Sequence, residues 1–250
     1  MNFLKKLFGG INNGEKSKDG TTIYKYEEQE TNDFTPPAQM KYAEEIVAHF
    51  DNVFPDRNSS VFHEIVSDLV HIDVNIMEPT EKEPFWVLYT TGMSDLPMTL
   101  PKEMQEQLEE KFDRAEVMMF LPASWELTEE SVKDDNNFWP IRLMKQMARF
   151  PHQYNTWLSF GHTLPNYQHY EPYADSTGLN GVVIYQLNER ISEIATKDGN
   201  KINVYFLLPV YKEEMEYKLE HGMDALMDQL LELGNDALVL NPNRINTCKQ

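Results

Sequence analysis

The sequence predicts an α+β fold, a single domain in which a mixed β-sheet is covered by helices. Three observations carry that expectation. Val70, Ile72, Val74 and Ile76 alternate with His71, Asp73 and Asn75, the period of two that puts one face of a strand in a core. Residues 84–92 form a second strand too apolar on both faces to lie exposed. Strands and helices follow in mixed order, and no strand runs into a glycine-rich turn and a helix, which disfavours a nucleotide-binding doubly wound sheet.

In chain order, residues 1–36 read as a flexible N-terminal arm and residues 37–250 as the domain. Residues 1–10 carry two lysines among bulky apolar side chains, a stretch that either frays or touches a membrane or partner. Gly9, Gly10, Asn12, Asn13 and Gly14 stand where a secretory apolar region would continue, so no export signal is read. Ala43, Ile46, Val47, Phe50 and Phe54 make a helical stripe over 39–54, stopped by Pro55. After the strands at 70–76 and 84–92, Met104, Leu108 and Phe112 mark a helix over 102–112, and 117–121 is a strand closed by Pro122. Residues 126–135 read as an acidic loop, and Trp139-Pro140 opens a helix that runs to Pro151. Strands are expected within 156–164, 181–187 and 202–208, and Met223, Leu226, Met227, Leu230 and Leu231 give a terminal helix before Gly234. No internal repeat or low-complexity tract interrupts this order.

Charge narrows the function classes. With 22 Lys plus Arg against 41 Asp plus Glu, the net charge is −19 and the pI about 4.7, the wrong sign for whole-surface attraction to nucleic acid or anionic lipid. The longest apolar run, 204–211, is far short of the roughly 18 residues a membrane span needs. Cys248 is the single cysteine, so no internal disulfide or multi-cysteine zinc site forms, and a cytoplasmic setting is expected.

P-loop, nucleophile-elbow and His-Glu-x-x-His motifs are absent. His71 and Asp73 share a strand face, while His162 and His169 lie seven positions apart. These four could gather a divalent metal, as in a metal-dependent hydrolase, or serve as ordinary hydrogen-bonding residues. Ser94 beside Asp95 could be a nucleophile, or both could simply make turn hydrogen bonds after the strand. Met93 and Met98 are either core filler or an adaptable partner surface. Glu213, Glu214, Glu216, Glu220, Asp224, Asp228, Glu232 and Asp236, with six more acids between Glu103 and Glu116, are solvated helix faces or a face that steers a basic partner.

Taken together, the motifs resemble the suppressor of fused domain family. His71-Ile-Asp-Val-Asn75 before Pro79-Thr80, Tyr89-Thr-Thr-Gly-Met-Ser-Asp-Leu96 and Ala115-Glu-Val-Met-Met-Phe-Leu-Pro122 match its pattern. So do Trp139-Pro-Ile-Arg-Leu-Met-Lys-Gln-Met-Ala-Arg149, Gly161-His-Thr163 and Tyr205-Phe-Leu-Leu-Pro-Val-Tyr-Lys-Glu-Glu214, in order from about Pro37 to about Arg244. The resemblance implies an α+β domain without catalytic residues or cofactors. In animals the family member clamps an extended peptide of a zinc-finger transcription factor between this domain and a second one, whereas this chain looks like the compact bacterial form. Bacterial relatives are proposed as immunity proteins, so the partner expected here is a protein, basic and toxin-like. The candidate partner-binding residues are His71, Asp73, Tyr89, Gly92, Met93, Ser94, Asp95, His162 and Thr163. If the 92–95 turn and the 161–163 segment neighbour each other, they form a shallow polar, methionine-lined groove for an extended peptide. Otherwise Asp95 and His162 only brace turns.

Overall fold

Why so many strands of this chain are apolar on both faces is answered by the layers around them. The computed structural model describes residues 16, 18, 40–64, 69–102, 112–167, 169–234 and 238–249. Strands β1 (Ser59–Phe62), β2 (Asp73–Met77), β3 (Phe85–Thr91), β4 (Ala115–Pro122), β5 (Thr163–Pro165), β6 (Gly181–Tyr185), β7 (Glu193–Ala195) and β8 (Lys201–Val210) form one sheet. Its order is β1-β2-β3-β4-β8-β6-β5, with β7 also on β8. The β4–β8 pairing is parallel and the others antiparallel, so the sheet is mixed and the fold is α+β.

Helix α2 (Asp135–Gln153) covers one face with Trp139, Ile141, Leu143, Met144 and Ala148, against Leu88, Met119, Val182 and Leu207. The other face is covered by α1 (Ala43–Val53), α4 (Lys212–His221) and α5 (Met223–Leu231), whose Ile46, Phe50, Met215, Leu226 and Leu230 meet Val87, Tyr89, Met118 and Phe206. A sheet covered on both sides has no solvent face for polar alternates, and Asp73 and Asn75 are therefore buried along with Val74 and Ile76. Asn75 compensates by donating to Thr91 Oγ1 at 3.1 Å.

Several boundaries differ from the sequence reading for identifiable reasons. β2 starts at Asp73, and Val70 and Ile72 are buried in the approach to it. α2 begins at Asp135, because Asp134 caps it by accepting from Asn136 N at 3.0 Å. Pro140 therefore lies inside the helix, and Pro151 does not end it before Gln153. Of 156–164, only Thr163 and Leu164 are strand; Trp157 and Leu158 are buried in an irregular segment that Thr99 N joins by donating to Thr156 O. Residues 126–135 hold a 3-10 turn at Ser131–Lys133 as well as the start of α2. The terminal stripe from Met223 to Leu231 is α5 as expected, and a further helix, α4, precedes it, parted from it at Gly222 with φ 90°. Strands β1 and β7 and the short helix α3 (Glu189–Ser192) have no strong periodic signal. The arm over 1–36, Lys16 and Lys18 apart, and most of the 102–112 helix fall outside the described residues.

Candidate functional site

The turn after β3 is the most densely bonded of the expected site segments. Gly92 takes φ 110°, and Met93–Asp95 make one 3-10 turn. Gly92, Met93 and Ser94 are buried. Ser94 N and Oγ donate to Glu116 Oε1 at 3.0 and 2.7 Å, and Gly92 N donates to the same oxygen at 3.1 Å. From α2, His152 Nε2 meets Met93 O at 2.9 Å; a carbonyl only accepts, so that nitrogen carries the proton. Arg114 donates to Asp95 O at 3.0 Å. The Asp95 carboxylate receives Lys41 N at 3.0 and 3.1 Å just ahead of α1; burial raises its pKa, against the opposing backbone bonds and Arg114.

This geometry corrects two readings. Ser94 Oγ is directed into Glu116 with no exposed surface, so it is no nucleophile for an external substrate. Met93 and Met98 fill the core and cannot line a groove. Tyr89 is likewise 1% exposed and stacks on Phe50 with ring centroids 3.7 Å apart, so Tyr89, Gly92, Met93 and Ser94 shape the corner from within.

His71 and Asp73 do meet. His71 Nε2 lies 3.0 Å from Asp73 Oδ1, and His63, absent from the sequence reading, sits 2.8 Å from Oδ2. Glu64 N adds a third donor to Asp73. His162 is elsewhere: its ring packs edge-on against Trp157 at 5.3 Å, and desolvation, aided by the Lys218 ammonium, drives its pKa down to about 4. His169 is exposed. Among the described residues no group of three or more His, Cys, Asp or Glu side chains converges to hold a metal. The four-residue metal centre of a hydrolase is therefore not formed.

The Gly161–Thr163 segment leads into β5, the last strand of the sheet. Lys218 Nζ donates to Gly161 O at 2.6 Å and ties the segment to α4. Ile184 N donates to His162 O and Asn166 N to Asn180 O. Antiparallel alternation then turns the Thr163 N–H and C=O away from β6, toward the outer edge. Beside that edge, between α2 and β5, lies a cavity of about 400 Å³ walled by Phe138, Phe150, Tyr154, Leu164, Tyr167 and Tyr173. Arg142, Lys145 and Arg149 also line it, but Arg142 is paired with Asp135, and Arg149 and Lys145 with Glu64. The groove is thus mainly aromatic and apolar, with each of its three cations paired to a carboxylate and Lys145 and Arg149 sharing the one Glu64. Asp95 and His162 have separate sets of partners; the 92–95 turn meets the end of α2 through His152 and shares the core with Phe150 and Tyr154 through Met93.

The acids also divide. Glu216, Glu220, Asp224, Asp228 and Glu232 are exposed at four-residue intervals along α4, α5 and the residue after, and Glu220 pairs with Lys18. Glu116 and Glu214, counted among the surface acids in the sequence, have 0% exposure. Glu214 is held by both Arg244 amino groups, at 2.6 and 2.5 Å. Sequence reasoning missed the α2–β5 groove, His63, His152 and the role of Glu116; the one available signal was a lone acid inside the apolar run Ala115–Pro122.

Comparison with known proteins agrees with this architecture. The family model "Suppressor of fused protein (SUFU)" matches residues 68–245. A suppressor of fused homolog from Neisseria gonorrhoeae is similar at 16% identity and TM-score 0.57, covering 85% of this chain and 100% of its own. A chain of the Sufu–Fu complex gives 17% and 0.58, with 85% and 93% covered. Drosophila Suppressor of Fused gives 17% and 0.60 over 84% of this chain, which spans 52% of that protein. No curated protein matches.

Proposed function

Since the chain belongs to the suppressor of fused family, we propose that it is a protein-binding module that takes an extended segment of a partner along the outer edge of β5, beside the α2–β5 groove. The observation that carries this reading is the combination of an edge strand whose Thr163 main-chain groups face outward and an adjoining apolar cavity of about 400 Å³. Main-chain hydrogen bonds to an edge strand supply affinity, and a neighbouring pocket that admits alternate side chains supplies selectivity. Phe160 and Tyr167, 45% and 42% exposed, flank β5 and offer aromatic contact surface. Support also comes from the similarity to a chain crystallised in a two-protein complex, Sufu with Fu.

Of the expected binding residues, Thr163, His162, Asp95 and His71 keep accessible surface, and the proposal retains Thr163 and His162 as direct neighbours of the docked segment. The partner is a basic protein, neutralised by binding in the manner of an immunity protein, in the cytoplasm. The net charge of −19 and the exposed acids from Glu216 to Glu232 support it by favouring encounter with a cationic surface. No helix among the described residues is long and apolar enough to cross a membrane.

The test is affinity for the partner recovered with the wild-type chain. Gln153→Trp fills the groove and Tyr167→Ala removes its exposed wall, and each is expected to weaken binding about tenfold or more, roughly 1.4 kcal/mol, with the melting temperature kept. Glu220→Lys with Asp224→Lys is expected to slow association and flatten its salt dependence. Unchanged affinity in both groove variants would remove the groove from the interface.

A further inference from the structure

Glu116 is a carboxyl group with 0% exposure on β4, between Ala115 and Val117. Its two oxygens have different company. Oε1 receives the Gly92 and Ser94 amides and the Ser94 hydroxyl, at 2.7–3.1 Å. Among the described residues Oε2 has one partner, the Thr90 hydroxyl at 2.7 Å. That hydroxyl also accepts from Val117 N at 2.9 Å and lies 3.3 Å from Val117 O.

This arrangement can be satisfied in two ways. With Glu116 ionised, Thr90 O–H donates to Oε2. With Glu116 protonated, Oε2–H donates to Thr90 Oγ1, which still accepts from Val117 N while its own hydrogen turns to Val117 O. A hydroxyl has one donor and two acceptor positions, so neither form leaves Thr90 or Glu116 with an unmet bond.

We propose that Glu116 and Thr90 form a built-in proton switch that sets how firmly the Gly92–Asp95 turn is held. In the ionised form three charge-assisted bonds grip the turn through Oε1; in the protonated form the same three donors meet a neutral oxygen and the grip is weaker. The turn is the junction of three elements, since Asp95 receives Lys41 N ahead of α1 and Met93 O receives His152 of α2. A proton gained or lost at Glu116 is therefore read by both helical layers at once.

The charged and titratable groups on the surrounding elements are Asp95 in the turn, Arg114 just before β4, His152 on α2, His71 and Asp73 around the start of β2, and Lys41 before α1. β8 contributes the uncharged Asn203 and Val204 opposite Ala115 and Glu116. Asp95 adds repulsion to the ionised form, and burial lowers the His152 pKa. Desolvation dominates at Glu116 and, against the donors from Ser94 and Thr90, lifts its pKa to about 7. A carboxyl whose native pKa lies above its unfolded value of 4.5 binds its proton more tightly when folded. Its stabilising contribution is complete below about pH 4.5, declines as pH rises, and is gone above about pH 7.

The experiment compares the full chain with Glu116→Gln, whose amide copies the protonated form by accepting at one atom and donating to Thr90 from the other. Relative to E116Q, the wild-type folding equilibrium constant is expected to fall about tenfold per pH unit between roughly pH 5 and 7 and to level off above. In the wild type, the Glu116 carboxyl carbon resonance should titrate near neutrality, and the Gly92 and Ser94 amide protons should move with the same midpoint. Parallel pH profiles for the two proteins, or a carboxyl midpoint below pH 5, would overturn the switch. Should E116Q fail to fold, the wild-type titration decides alone.

Discussion

Gly92→Ala is expected to lower stability by about 4 kcal/mol or more, the range reserved for substitutions that break backbone geometry in a core. Two independent costs meet at this position. At φ 110° an L side chain is strained wherever it is placed. A Cβ there would also lie 1.8 Å from the carbonyl oxygen of His71 and 3.2 Å from Met40 Sδ. The backbone carbonyl belongs to the buried approach to β2 and cannot swing aside as the end of a flexible side chain could. Retreat of the turn instead would pull the Gly92 and Ser94 amides off Glu116 and leave a buried carboxyl short of donors. Urea denaturation measures this directly. A variant within about 1 kcal/mol of wild type would mean that the corner around Glu116 yields far more than its packing indicates.

Arg244→Ala should be nearly as damaging, at about 3 kcal/mol or more. Its guanidinium grips the fully buried Glu214 carboxylate with two bonds, donates to Pro209 O at 3.2 Å and stacks on Tyr211. Removing it strands a charge whose other donors, Tyr211 N, Thr247 N and Thr247 Oγ1, cannot neutralise it. The pair also straps the C-terminal segment across the end of the sheet, where Leu240 N donates to Phe120 O and Thr177 Oγ1 to Pro242 O. Arg244→Lys keeps the charge and loses the two-pronged geometry, so an intermediate loss is expected. A loss below about 1 kcal/mol in Arg244→Ala would show that the strap is held elsewhere.

What the sequence revealed and concealed follows from the layering of this fold. Strands β3, β4, β6 and β8 were legible because a sheet packed on both faces needs continuous apolar runs. The same layering hid the polar corner. Glu116 and Glu214 look like surface acids in a chain with so many of them, and only tertiary contacts with Ser94, Thr90 and Arg244 reveal that they are buried. β1 was missed because its four residues are exposed or nearly so and carry no core-facing alternation. Among the candidate site residues, His71 and Asp73 do meet, although β2 begins at Asp73 and His71 stands in the approach to it rather than on the strand. The pairing of the 92–95 turn with 161–163 depended on long-range placement, and the structure instead gives the two segments separate partners, Glu116 and His152 for the turn and Trp157, Ile184 and Lys218 for 161–163. The groove between α2 and β5 is lined by residues spread from Phe138 to Val182 along the chain, and has no local signature.

The central claim, that a partner segment adds to the outer edge of β5, turns on one backbone amide. Thr163 N–H faces away from β6, so in the free protein it should exchange with solvent quickly, and in the complex it should slow by at least tenfold as it enters a new strand pairing. Hydrogen–deuterium exchange on the isolated chain and on the partner complex measures this, with Phe160 to Asn166 as the segment to resolve. Protection centred on Thr163 is the predicted result. Unchanged exchange across that segment, with new protection confined to α4 and α5, would contradict the account and move the binding face to the exposed acids between Glu216 and Glu232.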